Sequence, residues 1–208
     1  MTFGASTQMP RYRTRSWRAF EPAAAERVPS AAPAAPVRIL GLDPGSRRTG
    51  FGLIACRGLQ SVHLTHGCIV SRGEGAAERL RVIFEAVQQL IAEHRPDEVA
   101  VERVFVNRNV DSALKLGQAR GAALCAVPHG TPVFEYAPRA IKMTVVGFGG
   151  ADKRQVAHMM RTLLSLAGSI AVDASDALAV AVCHAHSRRS PWIEHGGWRG
   201  GAAGGRAP

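Results

Sequence analysis

Four acids in this chain stand where core or capping residues would suffice, and together they could hold a divalent cation over a phosphodiester. Asp43 closes an apolar run that begins at Val37, directly before a Pro-Gly turn. Glu102 closes Val99-Ala100-Val101. Asp173 and Asp176 stand three apart at the start of a segment made mainly of Ala, Leu and Val. Residues at i and i+3 share one helical face, so both carboxylates can point to one place. Singly, each acid reads as a turn or cap residue, and Asp173 in particular suits an N-terminal cap. Gathered in a partly buried site they would repel, and at least one would take up a proton. A hard divalent ion removes that penalty. Mg2+ prefers oxygen ligands and keeps several waters. Two such ions roughly 4 Å apart can hold the attacking water and the leaving oxygen of an in-line phosphoryl displacement.

Competing ligand sets are poor. Cys56, Cys68, Cys125 and Cys183 include no C-x-x-C pair, which argues against a zinc ribbon and fits a reducing cytoplasm. His184 and His186 would point about 200° apart on a helix. Both read as packed or solvated side chains, with His184 a remote metal candidate.

The elements that must position these acids follow from periodicity. Residues 37–42 read as a buried strand stopped by Asp43-Pro44-Gly45. Residues 49–56 and 61–70 read as two more strands joined around Gly58, an antiparallel meander. Leu80, Ile83, Phe84, Val87, Leu90 and Ile91 recur at helical spacing until Arg95-Pro96. A strand over 98–104, a helix over 111–127 and a strand over 132–136 come next. Helices follow over 138–145, 152–166 and 172–186, with Pro138 suited to a first helical position. The order predicts an α/β domain: a five-stranded mixed sheet, its first three strands antiparallel, with helices on both faces.

The chain has 208 residues, enough for one domain with a sizeable core, and a formal net charge of +10. Much of that excess lies outside the periodic region. Arg11, Arg13, Arg15, Arg18 and Arg27 outnumber Glu21 and Glu26, and Arg188, Arg189, Arg199 and Arg206 outnumber Glu194. Residues 1–36 read as a disordered Arg/Ala/Pro-rich extension, 37–186 as the folded domain and 187–208 as a flexible Gly/Arg-rich tail. A basic balance suits a polyanionic partner. No apolar run approaches the roughly 18 residues of a membrane span.

Several local sequences then become specific. Ile39-Leu40-Gly41-Leu42-Asp43-Pro44-Gly45-Ser46 followed by Thr49-Gly50-Phe51-Gly52 resembles the first hairpin of the RuvC family of Holliday-junction resolvases. Val101-Glu102-Arg103-Val104-Phe105 resembles a later block of that family, as does the run from Asp111 through Gly121. So do Pro132-Val133-Phe134-Glu135-Tyr136, Ala151-Asp152-Lys153 and Asp173-Ala174-Ser175-Asp176-Ala177-Leu178-Ala179. The blocks appear in family order across residues 37–186.

The resemblance implies an RNase H-like fold and a Mg2+-dependent endonuclease, with two ions per site and Mn2+ able to substitute. It also implies a homodimer that nicks four-way DNA junctions symmetrically during recombination and repair, in the bacterial cytoplasm, alongside the RuvA–RuvB branch-migration complex. The family's four acids fall on Asp43, Glu102, Asp173 and Asp176. Its base-stacking aromatic falls on Phe105, and its lysines near the scissile strand fall on Lys142 and Lys153. Arg108, Lys115 and Arg120 are weaker phosphate contacts. The Gly117/Gly121 pair suits close helix packing, either at a dimer interface or within the molecule. Alternatives are a non-catalytic junction-binding protein and a related nuclease acting on other nucleic acid. A binding protein gives no reason to gather four acids beside DNA phosphates.

Overall fold

β1 (Val37–Asp43), β2 (Arg48–Arg57) and β3 (Gln60–Val70) pair antiparallel in sequence order. The computed structural model describes residues 35–103 and 110–188. The link from β2 to β3 is two residues, with Gly58 at φ 67°, a conformation that costs glycine little. β4 (Glu98–Glu102) then pairs with β1 in parallel, and β5 (Val133–Tyr136) with β4 in parallel, giving the order β3-β2-β1-β4-β5. Parallel neighbours need crossovers. These contain α1 (Ala76–His94) and α2 (Val110–Cys125), after which α3 (Pro138–Val146), α4 (Lys153–Leu163) and α5 (Val172–Ser187) complete the described chain.

The period-two alternation of the strands sorts their side chains between two cores. Leu40, Leu42, Leu53, Val99 and Val101 pack with Ile83, Val87 and Ile91 of α1 and Ala119 and Ala123 of α2. On the opposite face Ile39, Ile54 and Ala100 pack with α3, α4 and α5 through Ile141, Val145, Val156, Met160 and Leu178. The expected architecture is therefore present, with helices on both faces of a mixed sheet.

α5 is buried nearly all round, as its Ala- and Val-rich sequence requires. It also sits unusually close to the sheet. A Cβ on Gly41 would overlap the Ala177 carbonyl oxygen, and one on Gly50 would overlap that of Asp173. One on Gly52 would stand 2.7 Å from Leu178 Cδ2. Gly41 and Gly52 are direct cross-strand partners, and Gly50 lies opposite Asp43. Three glycines on β1 and β2 thus clear a track for this helix.

Some boundaries differ from expectation. Asp152 is the N-cap of α4, not its first residue: its side chain accepts from the Gln155 N–H while the Gln155 side chain accepts from the Asp152 N–H. α4 ends at Leu163, short of residue 166. β4 ends at Glu102, and residue 104 lies outside the described residues. Arg188, assigned by sequence to the tail, caps α5 and donates to both carboxylate oxygens of Glu98, at 2.9 and 2.7 Å.

Candidate active site

Parallel pairing of β1 with β4 brings the first two acids together. Leu42 lies beside Val101 in register, so the next residues, Asp43 and Glu102, end adjacent strands side by side. Alternation sends both to the α5 face, the side of Gly41 and Ala100. α5 presents its first turn to the same edge. Asp43, Glu102 and Asp176 line one cleft of about 330 Å³, together with Lys142 of α3 and Lys153 of α4. Pro138, Ile141, Val156 and Ala179 complete its wall.

The electrostatics follow from that crowding. Burial pushes the Asp43 carboxyl up to about 7, reinforced by the charges of Glu102 and Asp176 and by a shared hydrogen bond with Glu102. Burial likewise raises Glu102, against the opposing effect of that hydrogen bond. Both carboxyls are therefore held above the ordinary carboxylate range. Lys153 Nζ donates to Asp176 Oδ2 at 3.0 Å, and this hydrogen bond raises the lysine's own pKa.

Asp173 is arranged differently from the expectation. It does not line the cleft. Its Oδ2 lies 2.9 Å from Arg48 Nε, and the Cys68 thiol, 3.6 Å away, donates to the same oxygen. Nor does it cap α5, whose N-cap is Ala171 without a side-chain cap bond.

Among the described residues no three His, Cys, Asp or Glu side chains already converge on a common metal position. The donor chemistry of the cleft nevertheless fits a hard cation. Three carboxylates and no sulfur or imidazole line it, and the Lys153 ammonium already stands against one of them, where positive charge is needed.

The remaining sequence-predicted residues divide. Lys142 and Lys153 are in the cleft. Phe105 and Arg108 lie outside the described residues. Lys115 is exposed and pairs with Asp111 at 2.6 Å, one turn away on α2. Arg120 is not the surface cation expected for a phosphate contact. Its Nη1 donates to the Glu102 carbonyl oxygen and its Nη2 to Glu135 Oε1, both at 2.5 Å, so it braces the end of β4. Arg103 adds a longer ion pair to Glu135 at 3.7 Å.

Two residues that sequence reasoning passed over matter here. Arg48 holds Asp173. Glu98 sits at the opposite end of β4 from Glu102, on the same face, and anchors the far end of α5. His184, fully buried, donates or accepts at both ring nitrogens: 2.7 Å to Glu98 Oε2 and 2.6 Å to the Tyr136 hydroxyl. It is therefore a packed structural histidine, stacked on Phe134 with ring centroids 4.3 Å apart. The Glu98-x-Ala100-x-Glu102 alternation was the available signal.

Residues 39–184 match the family model described as "Crossover junction endodeoxyribonuclease RuvC". The chain belongs to the RuvC family. The crossover junction endodeoxyribonuclease RuvC of Methylococcus capsulatus is 55% identical over 154 residues, covering 74% of this chain and 93% of the relative. That of Halorhodospira halophila is 57% identical over 156 residues, with the same coverage of both chains. Among solved structures, Thermus thermophilus RuvC in complex with a Holliday junction substrate matches with a TM-score of 0.69 at 36% identity, over 74% of this chain and 95% of that one. The yeast mitochondrial Holliday junction resolvase Ydc2 matches with a TM-score of 0.54 at 9% identity, covering 76% of this chain and 86% of that one. The second likeness speaks for the fold alone. It agrees with the RNase H-like reading of the fold at a level where sequence identity carries no argument.

Proposed function

We propose that this RuvC-family chain is a crossover junction endodeoxyribonuclease, a metal-dependent enzyme that nicks four-way DNA junctions by water attack on a phosphodiester. The observation that carries this reading is the cleft in which Asp43, Glu102 and Asp176 face Lys142 and Lys153. Asp43, Glu102 and Asp176 would hold Mg2+, or Mn2+ in its place, at up to two positions. Of the helical pair, Asp176 is the direct ligand and Asp173 the second ligand or the base. When bound, the metal neutralises the carboxylates, polarises the phosphoryl group and lowers the pKa of the attacking water.

The chain's own side chains do the rest. Lys142 and Lys153 present positive charge to the phosphate oxygens, where negative charge builds during displacement. Arg120 fixes the strand end that carries Glu102. Ile141, Val156 and Ala179 give the cleft an apolar back wall that limits water and strengthens these charge interactions. Phe105 would stack on a base near the crossover, and Arg108 and Lys115 would contact phosphate.

The working unit is a homodimer, which gives each of two opposed strands its own site. α2 supports this reading. A Cβ on Gly117 or Gly121 would meet nothing within 4 Å, and Val110 and Leu114 on the same helix are 76% and 62% exposed. Cooperation with the RuvA–RuvB branch-migration complex follows from the family alone, and no residue is assigned to it. No helix among the described residues is long and apolar enough to cross a membrane; action on DNA in the cytoplasm follows from the family alone.

The test compares a synthetic four-way junction with linear duplex, with and without Mg2+. Paired nicks in the junction only, lost in Asp43→Asn while junction binding persists, are expected. Equal cleavage of linear duplex, or full activity in Asp43→Asn, would overturn the proposal.

A further inference from the structure

A second cleft has the opposite charge. Its volume is about 720 Å³, and Arg47, Arg48, Arg72, Arg79 and Lys115 line it with no carboxylate among the lining residues. Three separate parts of the chain build it: the β1–β2 connection, the passage from β3 into α1, and the exposed face of α2. The walls are tied together by the main chain. The Ser71 N–H donates to the Arg47 carbonyl at 3.0 Å. The Arg79 guanidinium donates to the carbonyls of Gly73 and Glu74, at 3.1 and 3.3 Å, which holds the loop before α1 in shape.

Two features make this more than a basic surface. Among the described residues Arg47 and Arg72 form no ion pair with an acid, although both are exposed on the cleft. Ser71 lines the same cleft at 7% exposure, and its hydroxyl has no hydrogen-bond partner in the structure. Buried hydroxyls are normally paired. Unpaired cations and an unpaired hydroxyl lining one cleft match one chemistry well, a run of phosphate oxygens: each accepts hydrogen bonds and each carries charge.

We infer that this cleft seats the sugar–phosphate backbone of one junction arm, through Arg47, Arg72, Lys115 and Ser71. Arg48 lines this cleft and pairs with Asp173, three residues before the Asp176 that lines the acidic cleft. A strand lying in the basic cleft is thereby placed next to the Arg48–Asp173 pair at the start of α5. The inference deepens the junction-nuclease reading and rests on it.

The experiment uses the full chain and a fluorescent four-way junction in EDTA, so that binding is read without cleavage. Anisotropy is measured across a KCl series for wild type, Arg47→Gln/Arg72→Gln and Lys115→Gln, with the thermal midpoint of each as a folding control. Each lost phosphate contact lowers the slope of log K against log salt by about 0.9. The double variant is expected to lose about two such steps and to bind about tenfold or more weakly near 0.1 M salt. Neutral methylphosphonates placed singly along each arm should weaken wild type at a short run of positions, and the double variant at fewer of them. Unchanged slope and affinity in a folded double variant, with wild type still binding the junction, would overturn the basic-cleft inference and leave the nuclease reading standing. No preference of wild type for the junction over duplex would sink both.

Discussion

Arg48 Nε stands 2.9 Å from Asp173 Oδ2, so one of the two acids near the start of α5 is held by a cation of β2 outside the cleft that its neighbour Asp176 lines. The other is held as well, by Lys153 at 3.0 Å. Opposite charges from two different elements thus stabilise carboxylates that would otherwise meet only one another. Arg48 and Lys153 are competitors for any cation that these acids bind.

Removing Arg48 should therefore ease metal binding. In Arg48→Ala, the Mg2+ concentration giving half-maximal junction cleavage is expected to fall about two- to fivefold, the range spanned by exposed ion pairs. A metal titration at saturating junction checks this. An unchanged or higher requirement would show that Asp173 does not take part in metal binding.

Asp43 should trade stability for function. Its folded pKa is raised to about 7 from 3.8 by burial and by Glu102 and Asp176. Below 3.8 the group is neutral folded or unfolded and nothing is lost. As pH rises from there to about 7, the unfolded chain ionises first and the fold is penalised, and above 7 the penalty is constant. Asp43→Asn abolishes it. In EDTA at pH 8 the variant's thermal midpoint should exceed wild type by about 4 °C or more, a shift that 1–2 kcal/mol produces in a chain of this size. Near pH 4 the gain should vanish, and a constant gain would refute the cause.

Gly50→Ala tests whether helix approach sets the site. The added methyl would overlap the Asp173 carbonyl oxygen, so α5 must retreat. Overpacking of this kind costs about 1–3 kcal/mol, and displacing a reacting group by about 1 Å costs about a hundredfold in rate. Junction cleavage should drop at least tenfold at temperatures where circular dichroism shows the variant folded. Full activity would mean that the acids do not depend on this contact.

Glu98 gives the fold its acid sensitivity. Burial alone would raise its pKa, but hydrogen bonds from His184 and Arg188 prevail and bring it to about 2, from 4.5. A depressed carboxylate contributes stability that is full above 4.5 and lost as pH falls toward 2. Glu98→Gln should cost about 2–4 kcal/mol at pH 7, as breaking a buried pair leaves its partners uncompensated, and progressively less below pH 4. Truncation after Ser187, which deletes Arg188, should lower the chemical-denaturation midpoint, whereas truncation after Arg188 should not. Equal midpoints for the two fragments would remove Arg188 from the folded body.

The alternation of β1 and β4 made the pairing of Asp43 with Glu102 legible in advance. The three-residue spacing of Asp173 and Asp176, read as bringing both to one place, did not foresee that only Asp176 lines the cleft. Asp43, Glu102 and Asp176 line one cleft because each ends or begins an element whose period is readable. Arg120 was misjudged for the opposite reason. A surface cation and a bracing one have the same sequence signature, and only the position of the Glu102 carbonyl and Glu135 separates them. His184 shows the same limit from the other side, since its burial depends on Tyr136 and Glu98, 48 and 86 residues away.

The sequence by itself determined the element order and the mixed sheet and marked the four acids as candidates, because hydrophobic period and turn chemistry are local properties. The tertiary structure alone decided which acids share a cleft and which are neutralised by cations. It also set the distance between α5 and the sheet, through Gly41, Gly50 and Gly52, and gathered five basic residues from distant segments into one groove. Each of those depends on distances between segments remote in the chain, and charge and close packing act through space.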